Sequence, residues 1–86
     1  MISVRYKPSF LRILKKTDLA LRIEVYEKAE LFRHRKNHSI LKVHKLKGAF
    51  KGLYAFSVNF KFRVIFEYES SDAATLIDFG DHAIYD

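Results

Sequence analysis

His44, Arg63 and His82 are the side chains in this sequence best suited to chemistry. Cleavage of an RNA chain without a metal ion has three requirements. A base takes the proton from a ribose 2′-hydroxyl, a cation offsets the extra charge on phosphorus, and an acid protonates the leaving oxygen. An unperturbed histidine titrates at about pH 6.5 and serves as either base or acid. Arginine presents planar, paired donors that match phosphate oxygens. The segment FGDHAIYD, residues 79–86, gathers Asp81, Tyr85 and Asp86 around His82. Tyr85 offers a ring on which a base can stack, and Lys45, Lys47, Lys51 and Lys61, with Lys42, offer charge for a phosphate backbone. Asp81 and Asp86 have two readings, as carboxylates that tune His82 or as exposed tail. His34 and His38 stand at an i,i+4 spacing that suits a metal on one helical face. Arg33, Arg35 and Lys36 crowd them, and such a surround disfavours a further cation. Neither a metal nor another cofactor is expected.

The elements that must position these groups change period halfway along the chain. Residues 2–6, ISVRY, alternate and predict a short strand. Pro8 suits the first turn of a helix, where its missing N–H costs nothing. Phe10, Leu11 and Leu14 give that helix an apolar stripe ending near Lys16. Thr17 and Asp18 are good N-caps for a second helix, expected from about Leu19 to Lys36. Its stripe would be Leu19, Ile23, Tyr26 and Ala29, with Phe32 close by. Glu24 and Lys28 should pair at i,i+4, and the basic residues 33, 35 and 36 should complement the helix dipole.

From Leu53 to Glu69 every even position is apolar or aromatic, from Tyr54 and Phe56 through Phe60 to Phe66 and Tyr68. Such alternation is β-structure with one buried face. The run is too long for one strand, so a turn is expected around Asn59–Lys61. Parity survives that turn only if the loop is odd in length, as when three residues place Val58 opposite Phe62. SSDA, residues 70–73, is a second turn, and ATLIDF another strand. The fold class is therefore α+β: an N-terminal strand, an αα-hairpin, then an antiparallel β-meander with both helices packed on its aromatic face. The opposite face, carrying Ser57 and Arg63, would be polar and open.

One domain spanning residues 1–86 is expected from the length and from an apolar content of 49%. The chain has no cysteine, which excludes disulfides and thiolate metal sites. No apolar run approaches the roughly 20 residues of a membrane span, and MISVRYKPSF lacks the shape of a signal peptide. A cytoplasmic protein with no membrane partner is the expectation. A net charge of +6 favours a polyanionic partner, either nucleic acid or an acidic protein.

The stretch LKVHKLKGAFKGLYAFSVNFKFRVIFEY, followed by LIDFGDHAIYD, resembles the RelE/ParE superfamily of bacterial toxins, most of all the RelE-type messenger-RNA interferases of the YafQ-like kind. The resemblance lies in H-x-L-x-G, then G-L-Y-x-F-S-V, then F-R-V-I-F-E, and a closing G-x-H with an aromatic soon after. It is strong over residues 41–86 and extends to the rest through the strand–helix–helix start. It implies a type II toxin that enters the ribosomal A site and cuts the messenger without a metal. It implies His82 as the acid or base, His44 as part of the site, Arg63 on the scissile phosphate and Tyr85 on the bases. It also implies an acidic antitoxin as partner, in a hetero-oligomeric complex. RelE carries basic residues where this chain has Ala55 and Ser57, and the YafQ branch places a further His and an Asp where it has Ser57 and Lys61. Proton transfer would thus rest on His44 and His82. The alternative from the same superfamily is a ParE-like toxin that inhibits DNA gyrase by binding alone.

Overall fold

The computed structural model describes residues 1–81 and 83. Its elements run β1 (Ser3–Tyr6), α1 (Pro8–Lys15), α2 (Leu19–Phe32), β2 (His44–Lys45), β3 (Tyr54–Ser57), β4 (Phe62–Ser70) and β5 (Ala73–Asp81), with short 3-10 turns at Arg35–Asn37 and Gly48–Phe50. The strands form one sheet in the order β1-β5-β4-β3-β2.

Pro8 opens α1 as expected. The helix ends where the Thr17 hydroxyl donates to the Ile13 carbonyl at 2.8 Å. Asp18 caps α2, its carboxylate accepting the Leu21 N–H at 3.3 Å. The meander β3–β4–β5 is antiparallel. Its first turn has the odd length that parity demands: Val58 N–H donates to the Phe62 carbonyl at 2.9 Å across residues 59–61.

The sheet as a whole is mixed rather than antiparallel, because β1 runs parallel to β5, Ser3 opposite Ala73 and Tyr6 opposite Leu76. Parallel neighbours need a long crossover, and here both helices and three strands supply it. Alternation within ISVRY reveals a strand but not its partner. The edge strand β2, which the alternation does not announce, is two residues long and charged. Short, charged edges resist pairing with another chain.

Both helices pack on the even-numbered face of the meander. Phe10, Leu14, Val25, Ala29, Phe32, Phe56, Val58, Val64, Phe66, Leu76 and Phe79 belong to that core. Phe32 lies at its centre, with ring centroids 4.6 Å from Phe66, 5.0 Å from Phe56 and 4.8 Å from the His38 ring. Removing such a ring costs about 3–5 kcal/mol, a large share of the roughly 5–15 kcal/mol that holds a domain together.

Helix α2 departs from its expected form in three ways. Val25, Ala29 and Phe32 face the core, whereas Leu19, Ile23 and Tyr26, three members of the expected stripe, lie on the exposed side. The helix is apolar on two faces, so periodicity alone does not choose between them. It also stops at Phe32 instead of Lys36. The Phe32 carbonyl is bonded to His38 Nε2 at 2.7 Å, which turns the chain away. Arg33, the C-cap, donates to the Ile2 carbonyl at 3.1 Å and to Glu30, fastening the helix end to β1. His34 and His38 therefore share no helical face. His38 is a packed core neighbour of Phe32 rather than a solvated residue. Finally, Glu24 turns to Asn59 rather than closing the expected pair with Lys28.

Candidate functional site

The odd-numbered residues of β3 and β4 face away from the helices, and the register arranges them in rows. His44 lies opposite Ala55, Ala55 opposite Ile65 and Ile65 opposite Asp78. In the next row Ser57 lies opposite Arg63, and Arg63 opposite Gly80. The structure thus brings His44 and Arg63 to the same open face. Two strand spacings of about 4.8 Å and two residue rises of about 3.4 Å put their Cα atoms roughly 12 Å apart. Side chains of these lengths can reach one nucleotide linkage from opposite sides.

His44 is exposed, and its Nδ1 lies 2.8 Å from the Lys42 carbonyl. A carbonyl only accepts, so Nδ1 carries the proton. The neutral ring then presents Nε2 as a lone pair, which is the form a general base needs. Lys42 holds the left-handed backbone at φ 57° that aims its carbonyl this way. Neither the tautomer nor the Lys42 conformation was legible in the motif.

Arg63 is half-buried. Its Nη1 donates to the carbonyls of Asn59 at 3.0 Å, Phe62 at 3.2 Å and Phe60 at 3.5 Å. One end of the guanidinium therefore braces the β3–β4 turn. Among the described residues, Nε and Nη2 make no hydrogen bond, and they can serve a phosphate.

Asn59 completes the turn. Its Oδ1 accepts the N–H groups of Lys61 and Phe62, each at 2.9 Å, and its Nδ2 donates to Glu24 Oε1 at 3.0 Å. This side chain both closes the hairpin and fastens it to α2. A turn signal was visible at Asn59, but its tie to Glu24 joins residues far apart in sequence.

The expected lysine cluster divides in two. Lys47 and Lys51 flank the 3-10 turn Gly48–Phe50, beyond the Tyr54 end of β3. Lys61 lies at the other end, on the hairpin tip, with Nζ 5.4 Å from the Phe62 ring centroid. Lys45 pairs with Tyr54 on the edge strand. At the hairpin end the expected Lys42 is joined by Lys28, and both share a groove with Arg63.

The open face is not uniformly polar, contrary to expectation. Leu46, Phe50 and Leu53 fold back over Ala55 and Ile65 as a small second core. Gly48 at φ 65° and Gly52 at φ 92° make the reversal possible, in a region where a side chain would strain the backbone. This cover leaves the Arg63 end of the face open.

Strand β5 delivers residues 80 and 81 beside Arg63 and Phe62. Asp81 Oδ1 accepts the Ala83 N–H at 2.9 Å. His82, Tyr85 and Asp86 lie outside the described residues.

No family model matches the chain, and no curated protein matches it. Solved structures do. The toxin–antitoxin complex RelBE2 from Mycobacterium tuberculosis matches with a TM-score of 0.74 and 15% identity, over 93% of this chain and 96% of that one. A YoeB/ParE toxin from Agrobacterium tumefaciens matches at 0.72 and 14%, over 94% and 99%. YafQ from E. coli matches at 0.65 and 15%, over 98% and 97%. The chain has the RelE/ParE toxin fold, and the likeness to YafQ is no greater than to the other two.

Proposed function

We propose that this chain is the toxin of a toxin–antitoxin pair and cleaves messenger RNA on the ribosome without a metal ion. The observation that carries the reading is the shared open face of His44 and Arg63, with His44 Nε2 presented as a base. In this mechanism His44 takes the 2′-hydroxyl proton. The resulting oxyanion attacks phosphorus, and the 5′-oxygen of the next nucleotide leaves with a proton from His82. Arg63 offsets the charge that builds on the phosphate oxygens. Lys45, Lys47, Lys51 and Lys61 hold the backbone, and Tyr85 packs on a base. The solved complex of the M. tuberculosis relative supports an antitoxin as partner. The +6 charge favours an acidic one.

The test is primer extension on a messenger in a bacterial translation extract, comparing wild type with His82→Ala and His44→Ala. New cuts at codons on translating ribosomes, lost in both variants, are expected. A fully active His82→Ala would remove that residue from the mechanism. A folded wild type that makes no cuts would overturn the nuclease reading, and a gyrase supercoiling assay would then decide for the binding-only alternative.

A further inference from the structure

A groove of about 380 Å³ opens where α2, the 38–43 turn and the β3–β4 hairpin tip meet. Its floor is closed, since Val58 and Leu41 are 0% and 2% exposed. Its apolar groups stand instead around the opening, on three separate elements: Leu31 on α2, Ile40 on the turn and Phe60 on the hairpin tip. Phe60 is 92% exposed and Ile40 78%. Lys28, Lys42 and Arg63 share the lining, and the one carboxylate there among the described residues, Glu24, is engaged by Asn59.

We infer that this groove seats a base of single-stranded RNA, stacked on Phe60, with Lys28 and Lys42 on the flanking phosphates. An apolar anchor of a docking peptide needs a hole, and this floor offers none. A flat ring needs only an exposed ring to lie on, and an aromatic among cations is the usual platform for single-stranded nucleic acid. Arg63 makes the groove continuous with the open face: its Nη1 reaches the Phe60 carbonyl at 3.5 Å while its strand position lies on the same face as His44. The base on Phe60 would then belong to a nucleotide next to the linkage on Arg63. The inference rests on the nuclease reading for its ligand class.

The chain contains no tryptophan, so Phe60→Trp introduces a single reporter at an exposed site. The probe is a 2′-O-methyl RNA octamer, which lacks the hydroxyl that cleavage requires. Saturable quenching of the introduced indole's emission is expected. End-label anisotropy should show affinity falling about 5- to 150-fold in Phe60→Leu, the scale of one lost base stack, while Phe60→Tyr keeps it. Octamer binding with unchanged emission, equal affinity in Phe60→Leu, or no binding would each overturn the inference. So would quenching by a Glu/Leu amphipathic peptide but not by RNA, which would mark a protein-docking groove. Cutting in the translation extract is scored separately: cuts that persist unchanged in Phe60→Leu would sink the groove and spare the nuclease.

Discussion

Asn59 and Glu24, 35 residues apart, are joined by a 3.0 Å hydrogen bond that fixes the hairpin tip against α2. The same Asn59 holds two backbone N–H groups of the turn. Asn59→Ala removes all three bonds and should cost about 1–3 kcal/mol in denaturant unfolding. Asn59→Asp keeps the turn but sets a carboxylate against Glu24, so it should destabilise less than alanine and be rescued by Glu24→Gln. A double-mutant cycle measures that coupling. Strict additivity would show that the two side chains do not interact.

Arg63 is asked to brace a turn and bind a phosphate at once. Arg63→Ala should slow cleavage by a factor of about 10²–10³ and also loosen the hairpin. Arg63→Lys separates the roles. A lysine supplies charge but not a planar fork, so it should recover part of the rate and little of the turn's stability. Single-turnover cleavage and thermal melting, read together, would sink the dual role if lysine restored both fully.

Lys42 pays for its left-handed backbone with about 1 kcal/mol. Lys42→Gly should leave stability unchanged or raise it by up to that amount, since glycine adopts this conformation freely but has more freedom to lose on folding. It should at the same time lower RNA affinity and flatten its salt dependence by roughly one phosphate contact. A clear fall in melting temperature would show that the Lys42 side chain supports the fold rather than a ligand.

Tyr6 makes stability depend on alkaline pH. Burial, and then the neighbouring Tyr26, raise its phenol above the ordinary 10.0. Its contribution is whole below pH 10. The unfolded chain then sheds the proton while the folded chain keeps it, so stability falls as pH climbs through the folded value. Tyr6→Phe should flatten that fall in denaturant midpoints measured from pH 9 upward. An unchanged slope would assign the loss to other groups.

The meander was legible because a half-buried sheet writes its two faces into alternate residues, from Tyr54 to Tyr68. Parity even showed that the β3–β4 loop is odd in length. Phe60 breaks that pattern because it sits on the loop itself, where alternation no longer reports a face. The end of α2 was illegible because the His38 ring, six residues on and beyond the helix, takes the Phe32 carbonyl. The cover on Ala55 and Ile65 was illegible because Leu46, Phe50 and Leu53 follow no period within a basic stretch. In the candidate site, residue types pointed to His44 and Arg63. The tautomer and the Arg63 brace arise from the local backbone course that residue types do not report, and the added Lys28 and Phe60 from packing between distant segments.

The parallel seam between β1 and β5 orders events during synthesis. Residues 3–6 are made well before their neighbours in the sheet, residues 73–76. β5 also lies between β1 and the rest of the sheet, and α1 packs against it. A nascent chain lacking β5 can pack α2 on β3 and β4 through Phe32 and Asn59, but it has no strand to hold β1 in the sheet. Pairings this distant close late. Synthesis must therefore pass residue 76 before the five-stranded sheet can close. An interrupted copy would be a target for proteases rather than a partly working protein.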